Sequence, residues 1–298
     1  MSKLISKTSI KLQYKLLPHH QALVSDLLPR EKTRHTCVIS AETCIANAIR
    51  RVLTDELPVY VLHTEIADID TDSEATHDQI QTQLKLCPIT QEYEDKLVGS
   101  LDFKNETSEN RIITTHDLKF ERGIHANQVV DKIPLFNLAP LRFVKINKIK
   151  SVLETGYDGV GMSVENILYR ELSERKYEIS YTVNHYNKDR WNDAIDNIIE
   201  RLTAIADFLN KKSESLAMYL KIGDINELSV NNESHTIGEL INRYIYLADK
   251  SCDFVAYRQE HPLVRRIIIK WRHSSGVKIA LTAIDNARKD LELLKNKK

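Results

Sequence analysis

One short segment constrains the fold of this chain more than any other. Residues 43–53 read T-C-I-A-N-A-I-R-R-V-L, and their apolar side chains recur at positions i, i+3, i+4, i+7 and i+8. These side chains belong to Ile45, Ala48, Ile49, Val52 and Leu53. The spacing predicts an α-helix with one apolar face, which another element of the protein must cover.

A similar segment, T-I-G-E-L-I-N-R-Y-I, occurs at residues 236–245. The matching positions, all related by one constant offset, are Ile45 and Ile237, Ile49 and Ile241, Arg51 and Arg243, and Leu53 and Ile245. The repeat predicts that the chain contains the same structural unit twice.

Length and charge limit the possible functions. The chain has 298 residues, enough for two or three domains, and its 42 basic and 42 acidic side chains cancel. Direct nucleic-acid binders usually carry a basic surplus, so this balance removes the strongest argument for that class. The N-terminal residues lack the apolar core of a signal peptide, and no run approaches the roughly 20 apolar residues that span a bilayer. We therefore expect an intracellular protein with no membrane partner.

The cysteines give no sign of a metal site. Cys37, Cys44, Cys87 and Cys252 form no C-x-x-C pair and have no histidines at zinc-finger spacing. We predict buried or idle thiols, no bound metal and no cofactor.

Strands and helices are predicted on both sides of the irregular middle of the chain. Alternation predicts strands at residues 9–16, 37–39 and 177–183, and Ser40 is the expected N-cap of the helix at 43–53. Pro58 should end that helix at Leu57 or earlier. Apolar spacing from Trp191 to Leu209 predicts a helix of about five turns.

The middle of the chain is less regular. From about residue 68 to 173 short apolar runs, such as 111–114 and 142–149, alternate with acidic and glycine-containing segments. We interpret this stretch as a loop-rich, mainly β domain inserted into a more regular one. Its G-Y-D-G-V-G segment at 156–161 lacks the following lysine and hydroxyl residue of a phosphate loop, so we interpret it as a turn.

The last part repeats the order of the first. Strands are predicted at 216–222 and 225–230, then a helix that begins near Ile237 with Thr236 and Glu239 as a capping box. Two more strands follow at 253–258 and 265–273, and a final helix begins after Gly276.

These patterns predict an α+β fold made of two similar dimerisation units, each with antiparallel strands and two helices. The two units should pack as an intramolecular pseudo-dimer about a pseudo-twofold axis. The predicted boundaries are 1–70 with 174–212 for the first unit, 71–173 for the inserted domain and 213–298 for the second unit.

At these residues the chain resembles the paired assembly subunits of multisubunit RNA polymerase. A-N-A-I-R-R-V-L-T-D-E-L-P at 46–58 is similar to a motif of the third-largest subunit of eukaryotic polymerase II, of its archaeal counterpart and of the amino-terminal domain of bacterial alpha. H-T-I-G-E-L-I at 235–241 and F-V-A-Y-R-Q-E-H-P-L at 254–263 resemble the eleventh subunit and its archaeal counterpart. The resemblance covers 35–70 and 177–298 well and the inserted domain loosely.

The chain also departs from this family. Two subunits that are separate in cellular polymerases are one polypeptide here, as in polymerases of some large DNA viruses. The cysteine cluster with which many third-subunit homologues bind zinc or an iron-sulfur cluster is absent, so no metal role carries over. Residues 78–89 lack the family's histidine-arginine pair and the following glycine, and keep only Pro88.

The resemblance implies a platform for polymerase assembly with no catalytic residues of its own, within a nucleotidyltransferase complex. It implies contacts with the largest, the second-largest and the small adaptor subunits, and with DNA only through the complex. The expected location is the cytoplasm or virion for a viral protein and the nucleus otherwise.

The resemblance also assigns roles to residues. Arg50 and Arg51 align with the motif arginines, so at least one should contact the second-largest subunit; the planar arginine fork suits partner carboxylates or carbonyls. The predicted internal pairing interface consists of Ile45, Ile49, Val52, Leu53, Ile195, Ile198, Ile199, Leu202, Ile237, Ile241, Leu281, Ile284 and Leu291.

An alternative function is a free-standing adaptor or nucleic-acid-binding protein built on the same duplicated fold. Arg265, Arg266, Lys270 and Arg272 surround Trp271 and could form a nucleic-acid surface, although strand alternation also explains them. An enzyme would need a nucleophile with its base, paired carboxylates or a phosphate-binding loop, and the sequence shows none of these.

Overall fold

The chain folds into two layered α+β units and one inserted β-rich domain. The computed structural model describes residues 2–12, 32–89, 97–130, 132–156, 164–184, 189–211, 217–261 and 264–295. In chain order the first elements are β1 (Lys3–Leu12), β2 (Lys32–Ser40), α1 (Thr43–Arg51), β3 (Val59–His63), β4 (Ile69–Thr71), α2 (His77–Lys85), β5 (Val98–Lys104), β6 (Arg111–Thr114), β7 (Lys119–Phe120), α3 (Ala126–Val129), β8 (Pro134–Leu138) and β9 (Phe143–Glu154). The remaining elements are β10 (Glu165–Ser173), β11 (Lys176–Asn184), α4 (Trp191–Lys211), β12 (Met218–Lys221), β13 (Asn226–Asn231), α5 (His235–Ala248), β14 (Phe254–His261), β15 (Val264–Arg272) and α6 (Val277–Glu292).

The first unit consists of one antiparallel sheet with two helices. Its strand order is β1-β2-β11-β10, and its helices are α1 and α4. On β11 the alternating side chains Tyr177, Ile179, Tyr181 and Val183 are buried, as the period-two pattern predicts. The sheet therefore presents one apolar face to its helices.

The second unit has the same arrangement. Its strand order is β12-β13-β15-β14, again antiparallel, and its helices are α5 and α6. Both units thus run strand, strand, helix, strand, strand, helix, with the inserted domain placed after the first helix of the first unit. The predicted α+β class is confirmed. The origin of the two units by duplication stays a prediction.

The inserted domain has its own sheets and its own core. One sheet has the order β3-β9-β5-β7 with β4 also paired to β9, and β6 pairs with β8. Side chains such as Leu62, Leu84, Leu101 and Ile146 form a buried cluster separate from that of the two units. The helices α2 and α3 add to this mainly β domain.

The sheets divide the chain at other points than the sequence predicts. Because β3 pairs with β9, residues 59–70 are part of the inserted domain rather than of the first unit. Because β10 pairs with β11, residues 165–173 are part of the first unit rather than of the inserted domain. Strand pairing depends on distant residues, so short apolar runs do not show which sheet they join.

The two units share a single hydrophobic core. Helix α1 packs against α5, and α4 packs against α6. The core includes both tryptophans of the chain, Trp191 at the start of α4 and Trp271 on β15, and both are fully buried. The units are therefore halves of one folded body.

Two predicted helix caps are wrong. Helix α1 has Glu42 rather than Ser40 at its N-cap, because Ser40 is still the last residue of β2. Helix α5 begins at His235, and its N-cap Ser234 accepts a hydrogen bond from the Thr236 amide, so Thr236 is already inside the helix.

The end of α1 follows the prediction from proline. The helix continues as a single π-helical turn over Val52–Glu56, and Leu57 is extended, directly before Pro58. A proline disfavours helical backbone in the residue before it, which accounts for the stop. The wider turn leaves Glu56 at the very end of the helical segment, where it faces the second unit.

Gly238 allows α5 to approach β14 closely. A Cβ atom on Gly238 would lie 2.6 Å from Cδ2 of the Tyr257 ring. We expect Gly238→Ala to lower the free energy of unfolding by about 1–3 kcal/mol, since the ring must move out of a packed position. Urea unfolding followed by tryptophan fluorescence measures this loss.

Gly223→Ala is the matched control. Its added Cβ would meet only the Ile225 carbonyl oxygen, at 3.7 Å, which is an ordinary contact distance. We expect a change within about 0.5 kcal/mol. Equal losses for the two alanine variants would show that the contact with Tyr257 does not limit residue size at position 238.

Candidate interaction site at the junction of the two units

Helices α1 and α5 meet in an antiparallel arrangement. Arg51, at the C-terminal end of α1, donates from Nε to Thr236 Oγ1 at 3.0 Å, near the start of α5. Arg243, in the second half of α5, donates from Nε and Nη2 to Glu42 Oε2 at 3.2 and 3.1 Å, at the start of α1. Each helix thus sends an arginine to the N-terminal end of the other.

A buried charged network lies at the end of α1 nearest the start of α5. We call it the junction cluster, and its members are Glu56, Arg201, Glu233, Ser234 and Thr236. Arg201, on α4, forms ion pairs with Glu56 of the first unit and with Glu233 of the second. The exposed fractions of these three side chains are 18%, 4% and 10%, respectively. One guanidinium therefore joins carboxylates from both units away from bulk water.

Two hydroxyl groups complete the junction cluster. Ser234 and Thr236 both donate a hydrogen bond to Oε1 of Glu56, the former at 3.1 Å. Arg201 donates a further bond from Nε to Glu233 Oε1 at 3.0 Å. The carboxylates also lie at the N-terminal end of α5, where the helix dipole favours negative charge. These donors offset the cost of burying two carboxylates against one guanidinium.

The network sets the ionisation of its members. Burial alone would raise the pKa of Glu56, but the charge of Arg201 and the bonds from Thr236, Arg201 and Ser234 outweigh it and hold the pKa below its ordinary value. Burial would lower the pKa of Arg201, and the two carboxylates raise it instead. Glu56 and Arg201 are therefore both charged at neutral pH.

The lowered pKa of Glu56 makes folding depend on pH. Its folded pKa is depressed, so its contribution to stability is present above its unfolded value near 4.5 and is lost as the pH falls through the folded value. We expect the stability difference between the native chain and Glu56→Gln to shrink as the pH is lowered from about 6 to about 3. Urea unfolding at several pH values measures this difference.

Two other carboxyl groups bear on that measurement. Burial, and then the charge of Glu56, raise the pKa of Asp55, so its contribution to the pH dependence of stability has the opposite sign. In Glu56→Gln the part due to the charge of Glu56 is absent and the part due to burial remains. Glu65 is exposed, so Glu65→Gln should leave most of the pH dependence in place. The assigned role of Glu56 would be contradicted if the difference in unfolding free energy between the native chain and Glu56→Gln stayed constant with pH.

The opposite end of the helix pair has a smaller, more exposed cluster. Glu42 accepts the two bonds from Arg243 and also pairs with Arg175 Nη2 at 3.1 Å. Arg175 is 56% exposed and Arg243 is 37% exposed. Ion pairs this accessible to water contribute little to stability, but they can favour one partner over another.

Polar contacts also join α4 to the end of α6. The indole Nε1 of Trp191 donates to the Leu294 carbonyl at 2.9 Å, and Lys295 pairs with Asp196 at 2.6 Å. These contacts hold the C-terminal end of α6 to the N-terminal end of α4. The two units are thus connected at several points besides their apolar core.

The predicted pairing residues all lie in or against the shared core. Ile199 and Leu281 are partly buried and pack on it, and the others are buried. The buried set is Ile45, Ile49, Val52, Leu53, Ile195, Ile198, Leu202, Ile237, Ile241, Ile284 and Leu291. The structure brings these residues together, and the contribution of each to pairing stays a prediction.

The two motif arginines differ in their surroundings. Arg51 bonds to Thr236 and is part of the junction between the units. Arg50 is as partly exposed as Arg51, but its Nε and Nη2 donate to Asn47 Oδ1 at 3.0 and 2.9 Å, on its own helix, and not to the other unit. Of the two, Arg50 is therefore the better placed to reach another protein.

Sequence reasoning missed the junction cluster, although one signal was present. Arg201 lies three residues after Ile198 and four before Ile205, inside the apolar stripe of α4. A charged residue within such a stripe is seldom buried unless it is paired. The position thus indicates a buried carboxylate partner, but it does not identify Glu56 or Glu233.

The basic strand near Trp271 is balanced by acidic neighbours. Arg266 pairs with Glu260 at 2.9 Å, Lys270 with Glu227 at 2.7 Å, and Arg272 with Asp224 at 3.0 Å. The tryptophan ring itself is buried and donates from Nε1 to the Gly276 carbonyl. It offers no stacking surface for a base, so this site does not favour nucleic-acid binding.

The cysteines remain thiols at neutral pH. Burial raises the pKa of Cys37, Cys44 and Cys87 to about 12. Among the residues that the structure describes, no group of three or more His, Cys, Asp or Glu side chains is arranged to hold a metal ion. Within the same residues, no helix is both long and apolar enough to cross a bilayer.

The fold and this junction define two α+β units that pack as one body. Residues 226–297 match the family model described as the RNA polymerase Rpb3/Rpb11 dimerisation domain. The matched segment begins at β13 and extends just beyond α6, so it covers most of the second unit. The match points to an assembly subunit of RNA polymerase. No curated protein matches the chain.

Proposed function

We propose that this protein is a non-catalytic assembly subunit of a multisubunit DNA-directed RNA polymerase. The family match of residues 226–297 is the observation that carries the proposal. In this proposal the second unit corresponds to the eleventh subunit and the first unit to the third subunit, joined in one chain as in some large DNA viruses. Transcription would place the protein in the nucleus, or in the cytoplasm or virion for a viral polymerase.

The form of the molecule supports a platform role. The shared core and the junction cluster make the two units one body, in which the helices of the first unit pack against those of the second. Such a body can present fixed surfaces to several partners at once. We propose that it nucleates assembly of the largest and second-largest subunits and also contacts small adaptor subunits.

Co-purification tests the proposal directly. Affinity capture of the full chain from its source, followed by mass spectrometry, should recover both large catalytic subunits in near-equal amounts. The purified chain alone should not incorporate nucleotides on a primed template. A stable complex of fixed composition that lacks polymerase subunits would overturn the proposal.

Arg50 is the proposed contact to the second-largest subunit. We expect Arg50→Glu to reduce the recovered second-largest subunit at least about tenfold, a loss of about 1.4 kcal/mol, because a partner carboxylate or carbonyl would face a negative charge. The capture experiment, with subunits quantified by mass spectrometry, measures this loss.

Arg170→Glu serves as the matched control for charge reversal. Arg170 lies on the edge strand β10 of the same unit, is 68% exposed and pairs with Glu178. We expect recovery of the large subunits to stay within about twofold of the native chain. If the Arg50→Glu and Arg170→Glu chains recover equal amounts of the second-largest subunit, Arg50 is not part of the proposed contact.

A further inference from the structure

The two units present equivalent helices to each other. Helices α1 and α5 hold the same place in units of identical strand order. The offset that relates Ile45 to Ile237 also relates the observed N-caps, Glu42 and Ser234. The apolar residues of α1 and α5, at which the two units meet, would therefore by themselves allow a first unit to pair with the first unit of another copy of the chain.

The polar residues at the junction are not equivalent. At the same offset, Glu56 corresponds to Ala248, and Thr236 corresponds to Cys44. Glu233 likewise corresponds to Ala41. The apolar positions are thus repeated in both units, while the charges and hydroxyl groups of the junction cluster are divided between them.

This division makes pairing between two first units unfavourable. The Glu56 carboxylate would meet Glu42 and Cys44 in place of Ser234 and Thr236. It would lose two hydroxyl donors and gain a like charge. Arg201 would lose the carboxylate of Glu233. Buried charges left without partners are costly, whereas apolar seams accept many partners.

We propose that the junction cluster is the determinant that selects the second unit as the partner of the first and excludes pairing between first units of two copies. Arg201 is its centre, because it is the residue that binds a carboxylate from each unit. This selection acts within the chain and is independent of polymerase assembly. A duplicated apolar seam joined by a connection of a few residues is open to exchange between chains, and the charges oppose that exchange.

Reciprocal charge reversal tests the proposal in the full chain. Arg201→Glu alone places three carboxylates together, and Glu233→Arg alone places two guanidinium groups together. When both variants are co-expressed, the first unit of one can pair with the second unit of the other. Both exchanged junctions then hold opposite charges. We expect a heterodimer to make up more than half of the soluble protein, by native mass spectrometry with one chain mass-labelled.

Three controls separate partner selection from simple loss of stability. The double variant Arg201→Glu with Glu233→Arg in one chain should fold as a monomer, because the opposite charges meet again within the chain. Co-expressed Arg201→Ala and Glu233→Ala should give at least fivefold less heterodimer, since they lose the charges without creating a complementary pair. The native chain should be monomeric.

Each remaining result counts against the proposal. If the charge-reversed pair yields only monomers, or as much heterodimer as the alanine pair, the cluster does not select the partner. If the co-expressed pair aggregates while the double variant folds, the charges are not recognised between chains. If the native chain already forms dimers through its first units, the exclusion is absent.

Discussion

Replacing Arg201 by methionine should lower the free energy of unfolding of the full chain by about 3–5 kcal/mol. The substitution removes the guanidinium and leaves the carboxylates of Glu56 and Glu233 without their shared partner. Both carboxylates are at most 10% exposed, so water cannot replace the lost bonds. Urea unfolding followed by tryptophan fluorescence measures the loss, because both tryptophans lie in the core that the two units share.

The triple variant in which Glu56 and Glu233 also become glutamine provides an internal check. Removal of the two carboxylates should restore much of the loss, since the cost comes from unpaired charge and not from the missing side chain. Arg170→Met, at an exposed ion pair, should change stability by less than about 1 kcal/mol. If Arg201→Met lowers the free energy of unfolding no more than Arg170→Met does, the junction cluster is not a buried charge network.

The sequence predicts most regular elements of the two units well. The exception is the first strand, which begins at Lys3 rather than at Ser9 and leaves Ile10 62% exposed, while the predicted residues 13–16 lie outside the described part of the chain. The helix stripes of α4 and α6 and the alternation on β11 and β15 depend on local spacing, which can be read directly along the chain. The repeated apolar positions in α1 and α5 also predict that these helices need cover, and both are buried in the shared core. Local periodicity and burial agree in this part of the molecule.

Pairing between distant segments is much harder to predict. The boundary of the inserted domain depends on which sheet β3 and β10 join, and each joins its sheet by pairing with a strand that local spacing does not identify. The capping of α5 shows the same limit. Thr236 fits a capping box by spacing, but Ser234 is the N-cap, and the Thr236 hydroxyl instead donates to Glu56 of the first unit.

The junction cluster shows why sites at an interface escape sequence reasoning. Its charged members come from three separate places in the chain, at residues 56, 201 and 233. Only the position of Arg201 within an apolar stripe is unusual by itself. Arg51 shows the opposite case. Its motif predicts contact with another protein, whereas in the structure its Nε donates a hydrogen bond to Thr236 of the same chain.

Ile198→Asp should destabilise the two units by more than about 4 kcal/mol and leave the inserted domain folded. Ile198 is fully buried on α4 in the shared core, so the substitution places a carboxylate out of reach of bulk water. The cation one turn along the helix, Arg201, is already paired with Glu56 and Glu233. Tryptophan fluorescence reports the loss in the two units, and hydrogen exchange reports the inserted domain. The inserted domain should keep its protection because its core is separate.

Ile199→Asp is the closest control, since it makes the same change one residue later on the same helix. Ile199 is only partly buried, so its carboxylate can remain near water, and we expect less than half of the loss seen at position 198. If the two substitutions lower the free energy of unfolding equally, the face of α4 that packs in the shared core is not the one that carries Ile198. Loss of protection in the inserted domain together with the two units would show that the two cores unfold as one, despite their separate packing.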